Sequence, residues 1–217
     1  ELGAGQQLLE QALAGHAAAG DHAGAARAAH ALAGAYHGER RFAEALAAAE
    51  RCLAEATTSG EATMQGYAHL ARADVFTAIG DDRSARSAFI HAGALLAPLP
   101  ADESWVLLKH GGLLLQQGDA AEAIPLLTGA RELAARHQVV EVVEAATLNL
   151  AYAERLLGHL DRATAELARL PPEVRAAPSA AYVAALIAAD RGDRAAAERM
   201  FAAAGAGSLD EDYLAAM

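Results

Sequence analysis

The side chains best suited to chemistry in this chain are nine histidines and one cysteine. His16, His22, His30 and His37 crowd the first forty residues, and His30 and His37, seven apart, share one face of a helix. Imidazoles at that spacing can ligate zinc, but a zinc site takes a tetrahedral set, and no carboxylate or cysteine cluster accompanies them. The expectation is therefore no metal site, with these histidines on a surface or in a groove. Cys52 stands alone, which excludes an internal disulfide and a cysteine-only metal site. No His-Glu-x-x-His, no phosphate-cradling glycine loop and no nucleophile elbow is present. Gly111-Gly112 lies in a helical pattern with no lysine-serine pair after it, and reads as a close helix contact. The residues thus predict no catalytic centre, no cofactor and no enzyme.

The elements that must position these side chains follow from composition. The chain has 217 residues, 54% of them hydrophobic, only 5% aromatic, and a formal charge of −11. Alanine, the best helix former, supplies 62 residues, so an all-α fold is expected. The apolar fraction is too high for disorder. Apolar runs are interrupted well before the roughly 20 residues that a membrane span needs. The acidic balance disfavours direct nucleic-acid binding and anionic membrane surfaces, since both require Lys and Arg. Lys109 is the only lysine, and with the alanine content this suggests a GC-rich, bacterial coding sequence. A single cysteine and no signal peptide fit a cytoplasmic location. The start at Glu1 rather than Met predicts a segment of something longer.

A repeat is the strongest signal. Gly-Asp recurs at Gly20-Asp21, Gly80-Asp81, Gly118-Asp119 and Gly192-Asp193, with Gly158-His159 as a variant. From Gly80 onward the intervals are 38, 40 and 34 residues, within the roughly 34–47 expected for helical hairpins. The glycine can end one helix and the aspartate can cap the next. Asp119–Glu122, Thr58–Glu61 and Ser208–Glu211 have capping-box spacing. Helices are expected over 4–18, 22–37, 41–57, 61–78, 82–97, 102–117, 120–136, 139–157, 160–169, 178–190, 194–205 and 208–216. Proline breaks at Pro98–Pro100 and Pro171-Pro172 fall between hairpins, and Pro125 should cost one helix its backbone bond.

These residues resemble the tetratricopeptide repeat (TPR) family, in a longer bacterial form of about 34–40 residues. The second helices carry the likeness: Asp81…Ala85…Phe89…Ala92, Asp119…Ala123…Leu127…Ala130, Asp193…Ala197…Phe201…Ala204, Phe42…Ala45…Ala49…Cys52 and, most loosely, His159…Ala163…Leu167…Leu170. Among first helices, Leu32-Ala33…Tyr36 and Leu150-Ala151 keep the Leu-small pair. Arg72-Ala73…Phe76 and His110-Gly111…Leu114 keep only the small residue. The resemblance implies an all-α, right-handed superhelix (solenoid) of antiparallel hairpins forming a single domain over 1–217. Its five hairpins would be 22–57, 61–97, 102–136, 139–169 and 178–205, flanked by helices 4–18 and 208–216. It places Cys52 at a buried small position, as an inert packing residue.

The resemblance also implies a function. First helices of this family line a concave surface. Here that surface would carry Arg27, His30, His37, Tyr67, Leu70, Asp74, Trp105, Leu108, Lys109, Gly112, Leu148, Asn149, Tyr152, Arg155, Tyr182 and Leu186. The only Trp and three of the five Tyr fall in this set, and Trp, Tyr and Arg are the usual anchors of interfaces. The implied role is a protein- or peptide-binding scaffold, a sensor or regulatory segment of a larger bacterial signalling protein. The alternatives are a peptide-sensing domain of a transcription regulator, or a repeat segment attached to a protease or kinase domain outside this chain. Lys109 and Asn149 alone do not make the clamp with which some family members hold a terminal carboxylate. Self-association through the end helices is a further expectation.

Overall fold

A computed structural model describes residues 2–205, and among them it contains twelve helices and no strand. The chain forms two compact units, Glu1–Leu99 and Pro100–Met217. The first contains α1 (Leu2–Ala18), α2 (His22–Gly38), α3 (Phe42–Ser59), α4 (Ala62–Ile79) and α5 (Asp82–Leu96). The second contains α6 (Pro100–Gln116), α7 (Ala120–His137), α8 (Val140–Leu156), α9 (Leu160–Arg169), α10 (Pro172–Arg175), α11 (Pro178–Asp190) and α12 (Arg194–Ala203). Each helix packs chiefly on its chain neighbours, with α2–α3, α4–α5, α6–α7, α8–α9 and α11–α12 as hairpins. No helix among the described residues is long and apolar enough to cross a membrane.

The hairpin turn is local chemistry. Gly80 adopts φ 77°, the left-handed conformation that stops α4, and the Asp81 amide donates back to the Phe76 carbonyl at 2.9 Å. Asp81 then accepts the Ser84 amide at 3.1 Å, and Asp21 and Asp193 do the same for Gly24 and Ala196. The Gly24 amide holds the Asp21 carboxyl below the usual range, and the Ser84 hydroxyl, then the Ser84 amide, does so for Asp81. Two turns make the same geometry without glycine, at Arg40 (φ 59°) and Gln138 (φ 60°).

Alanine lets the paired backbones approach closely. Ala25, Ala26, Ala29 and Ala33 of α2 and Ala45, Ala49 and Ala56 of α3 are all but solvent-free. Larger side chains fill the remaining grooves: Leu32, Tyr36 and Val75 in one cluster of the first unit, Leu114, Leu127 and Val142 in one of the second. Each such buried Leu or Val contributes about 1.5–3 kcal/mol. Closest approach falls at glycine. A Cβ on Gly111 would lie 2.7 Å from Leu127, as expected for a packing contact, and one on Gly66 would lie 2.7 Å from Leu96.

Several expectations are corrected. α3 runs two residues past 57, and Thr58 lies inside it, its hydroxyl donating to the Ala54 carbonyl. Thr58–Glu61 is therefore no capping box; Gly60 ends the helix and Glu61 opens α4. α6 starts at Pro100, where a missing amide costs a helix nothing. The short α10 was not anticipated, although Pro172 favours a helix start in the same way. α7 continues through Pro125. The expected helix 208–216 and the Ser208–Glu211 pair lie outside the described residues.

Candidate functional site

In the first unit, α2 and α4 lie side by side and carry six of the expected interface residues. His30 and Tyr67 meet across them, ring centroids 5.5 Å apart. His30 Nδ1 is buried and has no hydrogen-bond partner. Burial pushes the His30 imidazole below its ordinary range, against the opposing pull of the Asp74 charge. His30, Tyr67 and Asp74 thus form one half-buried group. Arg27 reaches Glu61 at 3.5 Å, at the opening of α4. His37 is not part of this group; its ring rests on Phe42, 5.8 Å away across the hairpin turn.

In the second unit the expected residues separate into exposed and committed ones. Trp105 on α6 is 38% exposed, and Lys109 follows it by one turn, half-buried. Leu108, Leu148 and Asn149 are buried, and so is Gly112, so packing rather than a surface claims them. Tyr152 packs against both core clusters of this unit. Arg155 lies over the Tyr152 ring at 5.7 Å and donates to both oxygens of Asp190 on α11, at 2.7 and 3.3 Å. Tyr182 meets Phe201 of α12 edge-on at 5.6 Å. These three side chains join helix to helix.

The remaining reactive side chains are likewise placed by packing. His16 pairs with Asp21, and His22 on α2 bonds Glu55 of α3 at 2.6 Å. Glu55, only 7% exposed, also holds Arg51, and the His22 bond draws its carboxyl below the usual range. Among the described residues, no three His, Cys, Asp or Glu gather to hold a metal ion. Cys52 is fully buried, as its place in the repeat implies, and burial raises its thiol to about 11.

A second group was missed by sequence reasoning. On the α4–α5 hairpin an open pocket of about 450 Å3 is lined by His69, Arg72, Phe76, Arg83, Ser84, Ser87, Ala88 and His91. His69 and His91 stack at 5.0 Å, and Arg72 sits 5.6 Å over the Phe76 ring. The available signal was Arg72 itself, standing where Leu32 and Leu150 stand in other first helices.

No protein-family model and no curated protein sequence matches the chain. Solved structures do. Aspartyl phosphate phosphatase F from Bacillus subtilis superposes with a TM-score of 0.71 at 15% identity, over 86% of this chain and 51% of that one. The chain thus spans about half the length of that neighbour. A putative kinesin light chain from Podosopora anserina, with nearly identical TPR-like repeats, gives 0.66 at 19% identity, over 83% and 93% of the two chains. A substituted form of that kinesin light chain gives 0.64 at 20% identity, over 88% and 89%. At such identities the likeness concerns the fold, and the fold is that of a TPR-like helical repeat.

Proposed function

We propose that this chain is a non-enzymatic scaffold that holds a protein or peptide against the first helices of its hairpins. It would serve in the cytoplasm as a sensor or regulatory segment of a larger bacterial signalling protein. The group on α2 and α4 carries the reading. His30, Tyr67 and Asp74 form a polar, aromatic surface, and the buried His30 Nδ1 lacks the partner that buried polar atoms nearly always have. A bound backbone or side-chain group would supply it. Arg27, one turn before His30, borders this surface, and Trp105 with Lys109 offers a similar pairing on the second unit.

The test is affinity capture from the source cell with the chain and its His30→Ala/Tyr67→Ala variant, folding checked by circular dichroism. A partner retained by the chain and by Trp105→Ala but lost by the double variant is the expected result. A partner held equally by all three would overturn the α2–α4 assignment. Tyr152 and Arg155 are poor probes, because removing them breaks the Asp190 tie and confounds binding with folding. Self-association is a second reading, supported by Leu8, 65% exposed on α1. Light scattering that reports a monomer at high concentration would remove it.

A further inference from the structure

The pocket on the α4–α5 hairpin is cationic in a chain of net charge −11, and no carboxylate lines it. Two arginines and two histidines line it together with Ser84 and Ser87. Aligning the turns at Gly80 and Arg40, both left-handed, matches Phe76 with Tyr36. Arg72 then matches Leu32, and His69 matches Ala29; both counterparts are buried core. At the position of His69 the remaining hairpins carry Leu107, Thr147 and Ala181. A repeat that places charge where its neighbour places core forgoes burial, and the Phe76 ring and the His69 bond leave Arg72 Nε buried without a partner.

Hydrogen bonds fix the imidazoles of the pocket. His91 Nδ1 donates to the Ser87 carbonyl at 2.7 Å. Arg72 Nη1 donates to His69 Nδ1 at 3.4 Å, which leaves the His69 proton on Nε2. Burial, then Arg72, then His91 hold the His69 imidazole below its ordinary range, so without an anion it rests neutral. We propose that this pocket binds a tetrahedral phosphate dianion, and comparing inorganic with phenyl phosphate distinguishes a free anion from one carried on a monoester. Arg72 and Arg83 supply the charge, and Ser87 and His69 supply donors from other directions, the Ser84 hydroxyl being held by Asp81. A carboxylate, planar with two oxygens, would use fewer of them. The stripe His69, Arg72, Phe76 is offset by two residues from Tyr67, Leu70, Asp74, about 200° around α4. The proposal is therefore independent of the α2–α4 reading above, and either can fail alone.

The test follows histidine resonances by NMR while inorganic phosphate, phenyl phosphate or acetate is added at constant ionic strength. Saturable shifts of His69 and His91, with His37 unmoved, are expected for both phosphates. Acetate should bind at least about tenfold more weakly. Equal affinity for the two phosphates would assign the pocket to a free anion. Tighter phenyl phosphate would assign it to a phosphate carried on a larger molecule, with Phe76 touching the ring. Arg83→Ala, an exposed position, should weaken binding about tenfold, and His69→Ala/Arg72→Leu should abolish it. No saturation below about 10 mM phosphate, acetate binding as tightly, or Arg83→Ala binding unchanged would each overturn the proposal. Arg83→Ala keeps it falsifiable should the double variant not fold.

Discussion

The hairpins α2–α3 and α4–α5 share one turn geometry and one unit, yet they present opposite chemistry at matching positions. Ala29, Leu32, Tyr36 and Ala48 of the first are buried. His69, Arg72 and Phe76 of the second line an open pocket, while Ala88, the counterpart of Ala48, stays buried as it does. The repeat fixes where each side chain goes, and the residue type then decides whether that place is core or site. A second difference is in volume. Ala26 and Ala56 of the first hairpin become Gly66 and Leu96 in the second, a smaller residue beside a larger one.

Exchanging residues between the hairpins breaks this comparison most sharply in the direction of charge into core. Leu32→Arg would place a guanidinium among Ala33, Tyr36, Ala45 and Val75. The expected loss is about 4 kcal/mol or more by urea unfolding, read as an unfolded chain in the extreme. A loss below about 1 kcal/mol would show that α2–α3 tolerates the chemistry of α4–α5.

Removing the buried ion group of the first hairpin is next. Leu95 stands where Glu55 stands, so the second hairpin manages without it. Glu55→Gln should cost roughly 1.5–3 kcal/mol, since it weakens charge-assisted bonds to His22 and Arg51. The folded carboxyl titrates below its free value of 4.5. Its contribution is therefore full above pH 4.5 and is lost as pH falls through the lower, folded value. The parent and variant should converge in stability on the acid side, and parallel curves there would contradict the assignment.

Gly66→Ala copies Ala26 into the second hairpin and meets Leu96 at 2.7 Å. A loss of about 1–3 kcal/mol is expected from overpacking, against the modest gain of alanine in a helix. A stabilised variant would mean that α4 and α5 can separate freely. Cys52→Ala copies Ala92 and should change stability by less than about 1.5 kcal/mol. The parent thiol should resist a thiol reagent at pH 8 until the chain unfolds, because burial holds it at about 11.

Much of the fold is legible in the sequence because it rests on local rules. Gly80-Asp81 and Gly192-Asp193 mark turns by conformation and capping, Gly118-Asp119 marks one by conformation without the expected side-chain cap, and buried Ala85, Ala123 and Ala197 follow each at the same spacing. The turns at Arg40 and Gln138 were less visible, since residues other than glycine adopt the left-handed form there. The site was less legible for a different reason. The spacing put Tyr152, Arg155 and Tyr182 on first-helix faces, but spacing does not reveal that Asp190 and Phe201 already occupy them. His69, Arg72 and His91 carried a signal only as departures from the repeat, and a departure becomes visible once the turns are superimposed.

If His69 and Arg72 serve a ligand, they do not hold the hairpin together. Urea unfolding of the His69→Ala/Arg72→Leu variant, without phosphate, tests it most directly. Those substitutions install the residues of α2, and a stability equal to or above that of the parent is expected. A loss greater than about 1 kcal/mol would show that the pair supports the fold, and would contradict it.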